Sequence, residues 1–192
     1  MKKRYINALL ALVIIISAIS ASVIPASAAI RRVIEGDHPI LHEKCEKVVA
    51  YDERLHDLIG DLCDTIEFNG AGCVGLAAPE VGVNKQVCVI DDGSKTIIMV
   101  NPEIIEQSGE TTSYEGCECL PSQFFRITRP QHIVVRYNDE NGNPVTLEED
   151  GFLASVICHE IDHLNGILIT DKIMVNLPEF RNQVQGGLFV IC

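Results

Sequence analysis

Two histidines four residues apart, His159 and His163, flank a glutamate in the stretch CHEIDHLNG (158–166). A four-residue step puts both imidazoles on one helix face. There they can share one cation, with Glu160 placed to handle a proton on water. The bland alternative is two surface histidines with an incidental acid. The apolar runs FLASVI before the pair and LNGILI after it indicate a buried helix instead, and histidines and an acid in such a helix need partners. A protease built on this pattern takes its third ligand from downstream, a His or a Glu. Here Asp171 and Glu179 lie downstream, and no histidine follows His163. Upstream, Cys117 in YEGCECLPSQ (114–123) stands between a glycine and a polar stretch, where a thiolate can reach a metal.

The elements that must position these residues are legible in part. Asp52 is an N-cap for a helix over about 53–68, with Leu55, Leu58, Ile59, Leu62, Cys63 and Ile66 at three- and four-residue steps and Asn69-Gly70 ending it. QVCVI (86–90) and TIIMVN (96–101) flank Asp91-Asp92-Gly93 and predict a hairpin. HIVVRY (132–137) and PVTLE (144–148) flank NDENGN and predict a second. A helix carrying the histidines then runs over about 149–164 and stops at Asn165-Gly166. The tail GGLFVIC reads as a last strand. Mixed or antiparallel strands around a central helix make an α+β domain.

Ahead of this domain, residues 1–28 read as a targeting segment. Lys2, Lys3 and Arg4 precede a run with no charge from Tyr5 to Ile30, and Ala26-Ser27-Ala28 has the small-x-small form of a cleavage site. An uncleaved membrane anchor is the alternative, since the run is long enough to span about 20 residues of bilayer. Without this segment the chain keeps 164 residues, one ordinary domain over 29–192. Its formal charge moves from −12 to −15, because the segment holds three basic and no acidic residues. A surface that acidic repels phosphate backbones, which disfavours nucleic-acid partners. All eight cysteines fall in the domain. Export would allow them to pair, whereas the apolar neighbours of Cys63, Cys88 and Cys158 suit buried free thiols.

Three stretches together resemble the peptide deformylases: GCVGLAAPEVG (72–82), EGCEC (115–119) and HEIDH (159–163), in that order, with EGDHPIL (35–41) similar to the family's opening segment. The resemblance implies a deformylase-like fold and a hydrolase that removes the formyl group from N-formylmethionyl peptides and releases formate. It implies one divalent metal on Cys117, His159 and His163, ferrous iron in the family, with zinc, nickel or cobalt able to replace it. Glu160 would carry the proton from water to the leaving amine. The backbone N–H of Glu118 and the side chain at position 80 would face the oxyanion. Val74, Phe152 and Val156 would line an apolar pocket for the methionine, and the backbone of Gly75 would pair with the extended peptide. Glu115 and Arg129 would form a pair behind the cysteine loop. The family usually acts inside the cell, which sets it against the signal-like segment; membrane contact is expected only through residues 1–28, if uncleaved.

Three positions depart from the family pattern. Glu80 replaces a glutamine, and an ionised carboxylate accepts hydrogen bonds without donating any. Cys73 replaces a glycine, read as core filler, and Cys119 replaces a serine, placing a second thiol two residues from Cys117. Glu80 and the signal-like segment keep open a deformylase frame that binds formyl peptides without turnover. A secreted metalloprotease is the third and weakest reading.

Overall fold

A computed structural model describes residues 29–70 and 72–172 and the backbone of 188–190. The targeting-type segment lies outside the described residues. Among those described, no helix is long and apolar enough to cross a membrane.

Helix α1 (Glu53–Asn69) begins where expected, with Asp52 accepting a hydrogen bond from the Leu55 N–H at 3.3 Å, and ends at Gly70 with φ 79°. Strands β1 (Gly75–Ala77), β2 (Val87–Asp91) and β3 (Thr96–Ser108) follow, then the pair β4 (Thr111–Gly116) and β5 (Phe124–Arg129). After them come β6 (His132–Asn138), β7 (Pro144–Asp150), helix α2 (Gly151–Leu164) and β8 (Leu188–Val190). One sheet has the order β1-β2-β3-β6-β7 with antiparallel neighbours; the other is β5-β4-β8, with β8 parallel to β4.

The continuous apolar run of β2 is buried on both faces. Cys88 and Ile90 pack with α2, while Val87 and Val89 pack with the α1 residues Leu58 and Leu62. Helix α2 therefore lies in the interior, between the larger sheet and the smaller one, with ten residues of its fourteen buried. A third cluster, including Leu41, Phe125, Ile127 and Leu168, closes the smaller sheet over Cys117 and Cys119.

Several boundaries differ from the sequence reading. Strand β3 runs seven residues past Asn101, through Pro102, with register shifts between Val100 and Glu103 and between Ile104 and Glu106. A proline and a bulge hide a strand from period-two reading. Helix α2 starts at Gly151 because β7 continues to Asp150; Gly151, at φ 61°, turns the chain and donates its N–H to Gln131 O at 2.7 Å. The short β1 and the β4–β5 pair, which carries Cys117 at its turn, have no alternation strong enough to predict. The last strand in the tail is present as β8.

Candidate metal centre

Three elements bring the chemistry together. Helix α2 presents His159 and His163 on one face, with their Nε2 atoms 3.1 Å apart. The turn after β4 presents Cys117, whose Sγ is 3.4 Å from His163 Nε2; Leu120 N donates to Cys117 O at 2.9 Å and closes the turn. A 3-10 turn over Ala78–Val81 follows β1 and presents Glu80. Glu80 Oε2 accepts the Ala77 N–H at 2.7 Å, while Oε1 lies 3.5 Å from His163 Nε2 and 3.3 Å from Cys119 Sγ. Ligand atoms of Glu80, Cys117, Cys119 and His163 all fall within 4.8 Å of one another, and every one of these residues is buried. Bonds of about 2.0–2.3 Å to a tetrahedral cation place ligands about 3.3–3.8 Å apart, so the donor set fits a divalent ion. His159 joins this group through His163 and a hydrogen bond to Cys117.

Behind the imidazoles stands a buried charge network. Arg129 grips Glu115 with two hydrogen bonds, 2.6 and 2.8 Å, at 3% and 1% exposure. Its third arm reaches Asp162 at 2.8 Å, and Lys172 binds the same carboxylate from outside. His159 Nδ1 donates to Glu115 Oε2 at 3.2 Å, which turns the lone pair of Nε2 toward His163 and Cys117. Burial would raise the Glu115 carboxyl, but the hydrogen bonds from His159 and Arg129 overcome it and bring it down to about 2.

Charge is tightly coupled around Cys117. A hydrogen bond from the Cys119 thiol, opposed by burial and helped by His163, holds Cys117 well below the ordinary thiol range. Cys119 is pushed far up by that same bond and by burial. Burial lowers His163, yet the negative Glu80 and Cys117 carry it to about 9. Burial also lifts Glu80 to about 7, against the pull of His163.

Glu160 differs from all of these. It is wholly buried, and neither carboxylate oxygen has a hydrogen-bond partner among the described residues. Burial first, and then the charge of Glu80, raises its carboxyl well above the usual range. A buried polar group left without a partner is costly and marks a place kept for a reactant. The space it occupies exists because residue 75 is glycine: a Cβ there would lie 2.5 Å from Glu160 Oε1 and 2.9 Å from Cδ.

The residues singled out from sequence are distributed as follows. Cys117, His159, His163, Glu160 and Glu80 converge. Glu118 occupies the Cys117–Leu120 turn, half-buried. Gly75 lies on β1, which ends the larger sheet, beside Glu160. Val74, just before β1, and Phe152, on α2, are half-buried at the margin of the core cluster, whereas Val156 is wholly inside it. Cys73 is buried in the α1 cluster but is disulfide-bonded, which corrects its reading as a free thiol filling the core. Cys45, Cys63, Cys88, Cys117, Cys119 and Cys158 are free thiols, as the apolar neighbours of several indicate. The sequence reading missed Asp162 as the outer anchor of Arg129, although it lies inside HEIDH. It also missed the steric dependence of Glu160 on Gly75, which no spacing reveals.

The family model described as polypeptide deformylase matches residues 30–177. The chain belongs to the peptide deformylase family. A peptide deformylase of Caldicellulosiruptor bescii is 44% identical over 147 residues, covering 76% of this chain and 87% of that protein. Among solved structures, the peptide deformylase of Thermotoga maritima superposes with a TM-score of 0.73 at 35% identity, over 76% of this chain and 99% of that one. The Met-Ala-Ser-bound class I type b peptide deformylase of Acinetobacter baumannii gives a TM-score of 0.70 at 30% identity, over 76% of this chain and 99% of that one. The family accounts for the α+β architecture with antiparallel sheets and few helices.

Proposed function

We propose that this chain hydrolyses the formamide of N-formylmethionyl peptides, with Cys117, His159 and His163 holding one divalent ion, ferrous iron, or zinc, nickel or cobalt in its place. The observation that carries this reading is Glu160, a wholly buried carboxyl whose oxygens have no hydrogen-bond partner among the described residues, set beside the converging thiol and imidazoles. The ion, when bound, supplies Lewis acidity toward water and the formyl oxygen. Glu160 takes a proton from the attacking water and delivers it to the leaving amine nitrogen, and formate departs. Its raised affinity for a proton suits both halves of that transfer. Arg129 and Glu115 fix the tautomer of His159. The N–H of Glu118 faces the oxyanion. The edge of β1 at Gly75 accepts the extended peptide, and Val74 and Phe152 flank the methionine side chain, with Val156 behind them. The Met-Ala-Ser peptide of the A. baumannii relative supports a substrate of this type.

Residues 1–28 form a removable leader or an anchor ahead of the catalytic domain at 29–192. Mass spectrometry of the mature N-terminus distinguishes the two.

Glu80 sets the rate. In its ionised form it opposes the developing oxyanion, and a lost oxyanion donor costs about 10²–10³ in turnover. Formate release from a formyl-Met tripeptide, measured anaerobically with ferrous iron or nickel, tests the reading alongside Glu80→Gln. Release by the native chain, increased in Glu80→Gln, supports it. Silence from both, with metal and peptide bound, refutes it.

A further inference from the structure

We infer that the chain matures by hydrolysis of the Ala28–Ala29 bond and that the new α-ammonium of Ala29 seats on the buried Asp61 of α1, fixing an N-terminal arm that braces the metal centre. The inference rests on the reading of residues 1–28 as a removable leader and is independent of the metal and of the reaction.

Two observations of different kinds meet at one atom. The small-x-small triplet Ala26-Ser27-Ala28 puts the scissile bond after Ala28. The fold puts the Ala29 nitrogen 2.5 Å from Asp61 Oδ1. Asp61 is 5% exposed in the middle of α1, where a carboxylate needs hydrogen-bonding or cationic partners. Arg31 takes its other oxygen, with Nε 2.7 Å from Oδ2. One helical turn on, Thr65 Oγ1 accepts the Arg31 N–H at 2.9 Å. Alternate N–H groups of the extended arm thus face α1, and Ile30 between them is 54% exposed. A cut after Ala29 instead would leave the amine on Ile30, on the side turned from the helix.

An endopeptidase that recognises small residues is the catalyst, and water is the co-reactant. The amide C–N bond breaks, the oxygen of water completes a carboxylate on Ala28, and its two protons complete the ammonium of Ala29. A neutral donor beside a buried carboxylate then becomes a charged one, a gain of about five- to tenfold in the equilibrium that holds the arm. Asp57 and Asp64, four residues before and three after Asp61, add negative charge along the same side of the helix.

The arm carries this anchoring to the site. The Ile34 N–H donates to the Glu80 carbonyl at 2.8 Å, and the Gly36 N–H donates to the Cys119 carbonyl at 2.9 Å. Those carbonyls belong to the two turns that present Glu80 and Cys117. Val33 and Ile34 also pack against the cluster around Cys117 and Cys119. Seating the amine holds one end of a strap whose other end clamps both turns.

The test uses the full chain made in an exporting bacterial host, with its mature N-terminus read by mass spectrometry. Backbone hydrogen exchange at Arg31, Ile34 and Gly36 is then compared with Ala28→Glu, which keeps the leader, and Asp61→Asn in both backgrounds closes a double-mutant cycle. The expected mature chain begins at Ala29. Its three amides should exchange about five- to tenfold more slowly than in Ala28→Glu, and Asp61→Asn should erase the difference. Acetylation of the Ala29 amine in the processed chain should speed the same amides, which serves if Asp61→Asn folds poorly. A chain that keeps its leader, or begins elsewhere, overturns the leader reading and the inference with it. A chain that begins at Ala29 but exchanges at the Ala28→Glu rate overturns the seat on Asp61 alone. Neither result touches the deformylase reading.

Discussion

Gly75→Ala is a one-carbon change that separates proton transfer from metal binding. The added Cβ would stand 2.5 Å from Glu160 Oε1, 2.9 Å from Cδ and 3.0 Å from Cγ, where ordinary contact begins at 3.4 Å. The carboxyl must therefore move by roughly 0.9 Å, and it is enclosed on all sides at zero exposure. A misplacement of about 1 Å at a reacting group costs about 10²-fold, or about 2.7 kcal/mol of transition-state stabilisation. The three atoms nearest the added Cβ all belong to Glu160, so the clash falls first on that carboxyl rather than on the metal set. The backbone of residue 75 also remains available to a peptide. Gly75→Ala should accordingly lose about 10² in kcat, with KM and bound metal near the native values, and overpacking should lower stability by about 1–3 kcal/mol. Formate release, metal content and urea unfolding measure the three quantities. A variant that folds, binds metal and keeps the native kcat would refute the claim that Glu160 works from this position.

Three further outcomes follow from the same geometry. Arg129→Ala leaves Glu115 charged and buried without its partner and should cost about 3–5 kcal/mol in urea unfolding; a loss below 1 kcal/mol would mean that water takes over the role of the guanidinium. Because Glu115 titrates near 2 in the fold and near 4.5 when unperturbed, its contribution of about 3 kcal/mol is fully present above the higher value. That contribution is lost as pH falls through the lower one, a slope that Glu115→Gln should flatten. Gly166→Ala should destabilise by roughly 2–5 kcal/mol, since its φ is 72° and a Cβ would meet the His42 carbonyl at 2.6 Å; thermal melting checks this, and an unchanged Tm would contradict the backbone contact.

How much was legible in the sequence depended on whether a residue acts locally or across the fold. Helix α1 carries its own cap and periodicity, so Asp52 and the leucine spacing gave its limits to within one residue at Asn69. The hairpin of β6 and β7 was equally local, set by a turn rich in Asn, Asp and Gly. His159, Glu160 and His163 were visible because one helix holds all three. Cys117 needed the comparison of third ligands and the family motifs, since it lies 46 residues from His163, in the turn after β4 rather than on helix α2. Strand β4 and the far half of β3 are half-exposed and interrupted, so nothing in their pattern marks them. The Arg129–Asp162 contact and the space beside Gly75 are products of packing between α2 and two different strands, and only the folded chain shows them.

The most direct test of the central claim is the mass of the product formed from a formyl-Met-Ala-Ser peptide by the metal-loaded chain. Hydrolysis of the formamide predicts an intact tripeptide with a free amine and one equivalent of formate, with both products abolished in Glu160→Gln while metal content is retained. Cleavage between amino acids, or deformylation undiminished in Glu160→Gln, would contradict it.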